Sequence, residues 1–148
     1  MLEQGHVAEL PPYVDIVFNQ IPLPLSLYNR EGTQVAMNDA HAKLWGVDRD
    51  TWVGRFNFIQ DEQLVAIGSR EMFKRVMQGE TIHLPAHYYD SAKSNLKTGF
   101  EGEVWLEAIY FPIFNPAGEV EYMGAVLLDV TAAQQQKIVI EKAQEEIL

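Results

Sequence analysis

The groups able to do chemistry in this chain are carboxylates and imidazoles, because it contains no cysteine. That absence removes disulfides, thiolate nucleophiles, iron–sulfur clusters and Cys-ligated zinc together. The acids include Asp15, Asp61, Glu62, Glu101, Glu103 and Glu107, and a buried acid in a small α+β fold is able to run isomerase-type proton transfer. No nucleophile motif, phosphate loop or metal motif accompanies them, so a solvated acidic surface explains them more simply and no residue is assigned as catalytic. Of the histidines, His6 sits in a polar tail, His41 on a short helix, and His83 and His87 on a strand. Residues four apart on a strand share a face yet stand roughly 13 Å apart, too far to hold one ion. A structural or surface role is the expectation for both, and no metal site is assigned.

The net charge of −10 repels phosphate backbones, and no cluster of Lys and Arg offsets it, so nucleic-acid binding is not expected. A length of 148 residues suits one domain with a single core. The longest mostly apolar runs, 104–114 and 122–130, are about half a membrane span. Residues 1–10 do not form a basic segment followed by an apolar one. A soluble, cytoplasmic domain without membrane contact is expected.

The elements that would position these groups follow from spacing. After Pro11-Pro12, the residues Tyr13, Val14, Val17, Phe18 and Ile21 make the stripe of an amphipathic helix. Residues 23–28 and 33–37 flank Asn29-Arg30-Glu31-Gly32 and read as a hairpin. Asn38 suits a helix N-cap and Gly46 a stop, with Ala40, Leu44 and Trp45 between them at helical spacing. Residues 61–67 and 69–78 read as helices, the second with Met72, Phe73, Val76 and Met77 on one face. Residues 81–89 alternate, with Ile82, Leu84, Ala86 and Tyr88 opposite His83, Pro85, His87 and Tyr89, and Pro85 marks an edge or a bulge.

Residues 90–102 are polar and read as a loop. Two long strands follow, 103–114 and 120–130, joined by Asn115-Pro116-Ala117-Gly118. Both are apolar at most positions, Glu107 being a charged residue in the middle of the first, so both sheet faces are expected to be covered. Helices from the middle of the chain would cover one face, and a flanking helix or a second subunit the other. Thr131 with Gln134 reads as a capping box opening a last helix over 132–148. That helix meets no Gly or Pro stop, as though continuing into a further element.

This order of elements, with two motifs inside it, resembles a PAS domain. Asn38-Asp39-Ala40-His41-Ala42-Lys43-Leu44-Trp45-Gly46 matches the family's Asn-x-Ala-x-x-x-Leu-x-Gly helix. Trp105, Glu107, Pro112, Gly118, Gly124 and the closing Asp129-Val130-Thr131 resemble its last two strands and terminal Asp-x-Thr. The resemblance implies an α+β fold with a five-stranded antiparallel sheet in the order 2-1-5-4-3. It also implies short helices over one face, a PAS domain over 22–131, and flanking helices within 1–21 and 132–148. It further implies a sensor in a bacterial-style signalling protein, such as a two-component system. The last helix would couple it, through Asp129 and Thr131, to a fused or separate output domain of histidine kinase, cyclic-dinucleotide cyclase or chemoreceptor type. Ala133, Gln136, Ile140, Ala143 and Ile147 follow a 3-4 spacing that suits a parallel coiled-coil seam. A homodimer through the flanking helices and outer sheet face is therefore expected, against the alternative of a helix folded back on its own sheet.

Cofactor subclasses of the family are separable residue by residue. Without cysteine, the flavin-adduct photochemistry is excluded, as is covalent attachment of a chromophore. Leu127 stands where the flavin subclass carries Gln, which disfavours non-covalent flavin without removing it. No histidine occurs in 69–78, where haem-binding relatives take an axial ligand, so haem is disfavoured. The cofactor is left unknown, and a small apolar or aromatic ligand fits best. Under this fold Phe58, Phe73, Met77, Ile82, Leu84, Ala86, Leu106, Ala108, Ala125 and Leu127 would converge between helices and sheet, with the Ala side chains leaving room. A core filled without a cavity is the simpler reading of the same residues. The rival functions are a ligand-free dimerisation and interaction module and, more weakly, a small acid–base enzyme.

Overall fold

A computed structural model of the chain describes residues 12–90, 93 and 103–147. His6, Glu101 and most of the expected polar loop over 90–102 lie outside these. The element order is α1 (Pro12–Gln20), β1 (Leu25–Tyr28), β2 (Gln34–Met37), α2 (Asp39–Trp45), α3 (Arg49–Trp52), α4 (Glu62–Ala66), α5 (Ser69–Met77), β3 (Ile82–Asp90), β4 (Glu103–Phe114), β5 (Val120–Asp129) and α6 (Thr131–Ile147). The strands form one antiparallel sheet in the order β2-β1-β5-β4-β3.

The inner face follows from period-two alternation along each strand. On β4 the residues Val104, Leu106, Ala108 and Tyr110 are buried, and on β5 Met123, Ala125 and Leu127. Helices α2 to α5 lay Trp45, Trp52, Leu64, Met72, Phe73 and Val76 on that face to close the core. Local signals set the ends of α2. The side-chain oxygen of Asn38 accepts the backbone N–H of His41, and Gly46 at φ 61° turns the chain into the left-handed region that a side chain would resist.

The outer face is less covered than its composition suggests. Trp105, Glu107, Ile109 and Phe111 are only half-buried. Helix α1 packs against α2 rather than across this face, and α6, joined to β4 at Thr131, buries none of its residues. The fold-back alternative for the last helix is thereby overturned. Phe111 covers the sheet itself: a Cβ added at Gly124 would stand 2.3 Å from its ring, so glycine is required for the ring to lie flat there.

Two sequence expectations need correcting. The alternation of β3 breaks, because Leu84 pairs with Ala108 while His87 pairs with Leu106, one extra residue in the edge strand around Pro85. Beyond this bulge the faces exchange: Tyr89 is buried and Tyr88 is 39% exposed. The capping box is also absent as drawn. The Thr131 hydroxyl donates to Asp129 Oδ1 at 2.6 Å and accepts the Trp105 backbone N–H at 3.0 Å, tying the helix start to β4.

Candidate functional site

Between the helices and the inner sheet face lies a cavity of about 40 Å³. At roughly 10–15 Å³ for one water, it has room for about three. Helix α2 contributes His41 and Trp45, one turn apart on one face, and α3 contributes Trp52. The connecting segment adds Phe56 and Phe58, and α4 adds Leu64. Tyr28, His87, Tyr89, Leu106, Tyr110, Ala125 and Leu127 line it from the sheet.

Aromatic rings make most of the wall and brace one another. Phe58 meets Tyr110 edge-on with centroids 4.9 Å apart, Trp45 meets Tyr89 at 5.3 Å, and Trp52 stacks on Phe56 at 5.2 Å. The polar groups are few and buried. Burial pushes the His41 imidazole down to about 4, and pushes the Tyr28 and Tyr110 hydroxyls up. His87 is also lowered by burial, against a hydrogen bond to the Pro85 carbonyl. The cavity wall is therefore uncharged at neutral pH.

Of the residues singled out from sequence, Phe58, Leu106, Ala125 and Leu127 line the cavity. Phe73, Ile82 and Ala108 are buried in the surrounding core, while Met77, Leu84 and Ala86 are half-buried and outside the lining. Ala86 belongs to the stretch whose faces the bulge exchanges. His83 and His87, expected on one face, are separated by that bulge. His87 lines the cavity, and His83 stands outside, 3.3 Å from Glu107 Oε1. The other nine lining residues, His41 and Trp52 among them, were not singled out from sequence as part of a pocket. His41 was findable, because it lies four residues before Trp45 on a helix whose Trp face must point inward.

Asp61 is another correction, being buried rather than part of a solvated acidic surface. Its Oδ1 accepts the Leu64 backbone N–H at 3.1 Å and its Oδ2 the Tyr89 hydroxyl at 2.8 Å. The carboxylate caps α4 and ties it to β3, and it is not among the lining residues of the cavity. Among the described residues no cluster of His, Asp and Glu suits a metal ion, and no helix is long and apolar enough to cross a membrane.

Two anchors join the site to the flanking helices. Asn38 Nδ2 donates to the carbonyls of Phe18 at 3.0 Å and Leu23 at 2.9 Å, while its Oδ1 accepts from Leu25 N at 2.9 Å and His41 N at 3.0 Å. At the other end, the Val130 N–H donates to the Trp105 carbonyl at 2.8 Å, beside the Thr131 contact. Leu106, the next residue, lines the cavity and pairs with Asp129 across the sheet.

Comparison with known proteins returns one family and one fold. The sequence profile described as PAS fold matches residues 18–135. Comparison with curated proteins by sequence finds no match. Among solved structures, the PAS domain of an HTR-like protein from Haloarcula marismortui aligns at 17% identity and TM-score 0.60, covering 79% of this chain and 94% of that one. The PAS domain of Bordetella pertussis BvgS aligns at 20% identity and TM-score 0.56, covering 89% and 96%. A domain of a sensory box sensor histidine kinase/response regulator from Geobacter sulfurreducens aligns at 15% identity and TM-score 0.60, covering 79% and 91%.

Proposed function

We propose that this chain, which belongs to the PAS-fold family, is a sensory input module whose cavity takes a small ligand and whose flanking helices report its occupancy. The observation that carries this reading is the adjacency of Leu106, on the cavity wall, and Trp105, which holds Thr131 and Val130 at the start of α6. Movement of one residue would reach the other through one peptide bond. We assign the signal-coupling role to Asp129 and Thr131, and the output to a fused or separate domain of histidine kinase, cyclic-dinucleotide cyclase or chemoreceptor type. The sensor histidine kinase among the structural neighbours is consistent with the first.

The cavity, at about 40 Å³, is far smaller than the ~300–1,000 Å³ of ordinary cofactor pockets, which favours a ligand of a few heavy atoms over a flavin or haem. No catalytic step is assigned to this chain, since both oxygens of the buried Asp61 are occupied in holding α4 and β3 together.

A second reading, dimerisation without a ligand, draws support from the exposed Tyr13, Ile16 and Val17 of α1, Ile140 and Ile147 of α6, and the half-buried outer sheet face. Native mass spectrometry of the purified chain, paired with a thermal-shift screen of small metabolites, separates the two. A retained or stabilising small molecule is expected. A dimer that retains none and shifts with none would replace the sensor reading with the second.

A further inference from the structure

A ligand must pass the wall to reach the cavity, and the wall is not equally closed all round. Of its thirteen lining residues, twelve are 9% exposed or less. His87 alone is half-buried, so it borders both the cavity and the surface. It shares the inward face of β3 with Tyr89, two residues on, and pairs with Leu106, another lining residue. Burial lowers its imidazole, as expected of a ring turned partly inward. Strand β3 lies at the edge of the sheet, with a neighbouring strand on one side only.

Beyond His87 the wall is pinned. The Tyr89 hydroxyl donates to Asp61 Oδ2 at 2.8 Å, and its ring meets Trp45. The Gln63 amide donates to the Asp90 carbonyl at 2.7 Å and accepts the Asp90 N–H at 2.9 Å. These bonds hold α4, with its lining residue Leu64, against the end of β3.

Before His87 the strand is more loosely tied. Between the pairs Leu84–Ala108 and His87–Leu106, two residues of β3 stand against one of β4, and Pro85 has no N–H to give the ladder. The imidazole is held within this bulge. Its Nδ1 donates to the Pro85 carbonyl at 3.2 Å, a bond inside its own strand. Rotation of the side chain exchanges that bond for one to water while the backbone of β3 stays where it is.

We propose that, on the ligand-sensing reading, the His87 side chain is the gate of the cavity, closing the wall when turned inward and admitting the ligand when swung toward solvent. The opening it leaves is the width of one imidazole, which suits the few-atom occupant for which the cavity has room.

Xenon, an apolar probe that enters small apolar cavities, tests this on the full chain. Saturation-transfer xenon NMR reads both the bound fraction and the exchange rate. His87→Ala is expected to speed exchange roughly tenfold, the factor one hydrogen bond carries, and the bulkier His87→Trp to slow it. Tyr89→Phe, which releases α4 from β3, should speed it less than His87→Ala. Exclusion of xenon from the unaltered chain with entry into His87→Ala would equally show a closed gate. A rate unmoved by either His87 variant, even with a changed bound fraction, overturns the gate and leaves the ligand-sensing reading standing. Faster exchange in Tyr89→Phe than in His87→Ala does the same and moves the entrance to the seam between α4 and β3. Exclusion of xenon from every variant overturns both readings. If His87→Trp does not fold, the comparison of His87→Ala with Tyr89→Phe decides.

Discussion

The hydroxyl of Tyr89 donates to Asp61 Oδ2 at 2.8 Å, joining an edge strand to the first residue before α4. Both residues are buried, so neither partner has water to fall back on. Tyr89→Phe keeps the ring against Trp45 and leaves the carboxylate short of one donor. Loss of about 1.5–3 kcal/mol of stability is expected for a buried hydrogen bond to a charged group, seen as a lower urea midpoint at unchanged slope. A loss under about 0.5 kcal/mol would mean that the carboxylate finds another donor.

Burial of His41 makes stability depend on pH. Its pKa falls from 6.5 to about 4 on folding, so between those limits the unfolded chain binds the proton first. The contribution is fully present above about pH 6.5 and is lost as pH falls toward 4. Lowering the pH from 7 to 5 is expected to cost about 2 kcal/mol at this site, because one proton bound only by the unfolded chain costs about 1.4 kcal/mol for each pH unit. Half-buried His87 adds a smaller loss of the same sign. Urea unfolding at both pH values checks this, and His41→Gln should flatten the difference. Parallel pH profiles in the two proteins would refute the assignment.

Asn38 is 0% exposed and spends both ends of its amide on different segments. Asn38→Asp keeps the oxygen that accepts from Leu25 and His41 but sets a second oxygen against the carbonyls of Phe18 and Leu23. The expectation is selective: faster amide hydrogen exchange across residues 13–21, with α2 still protected. Asn38→Ala should release both sides and cost about 2–4 kcal/mol, as loss of a fully buried amide network does. Uniform loosening by the Asp variant would show that α1 is not held separately.

Gly124 and Phe111 form a test of the outer face. Gly124→Ala drives a methyl into the Phe111 ring at 2.3 Å and is expected to destabilise by about 1–3 kcal/mol, the ordinary cost of overpacking. Phe111→Ala in the same chain should absorb most of that cost, giving a coupling of opposite sign in a double-mutant cycle followed by calorimetry. Additive losses would mean that the ring swings aside freely.

The sheet was legible in the sequence because its order rests on the family's motifs and its inner face on period-two alternation in β4 and β5. Alternation failed in β3 for a local reason. One extra residue beside Pro85 flips every side chain beyond it, so His87 and Tyr89 reach the cavity while Ala86 and Tyr88 leave it. Pro85 announced a bulge but not its register. Trp52 was hidden differently: its helix, Arg49–Trp52, is one turn long, too short for any periodicity to declare a face. Thr131 marks the junction its motif suggests without forming the capping box, since its hydroxyl serves a strand 26 residues earlier, a contact no local pattern contains.

That junction supplies the last prediction. Asp129 Oδ1 accepts both the backbone N–H of Thr131 at 3.0 Å and its hydroxyl at 2.6 Å, and Thr131 in turn receives the Trp105 N–H. No residue of α6 is buried, so these bonds carry an unusual share of what holds its first turn in place. Asp129→Ala should therefore loosen α6 without unfolding the sheet. A cap of this kind contributes about 1 kcal/mol, so exchange across residues 132–147 should quicken roughly fivefold, while β4 and β5 stay protected. Thr131→Val, which also frees the Trp105 N–H, should do the same and disturb β4 near Trp105. Unchanged exchange in α6 for both variants would remove Asp129 and Thr131 from the coupling path. The signal would then have to leave through Asn38 and α1.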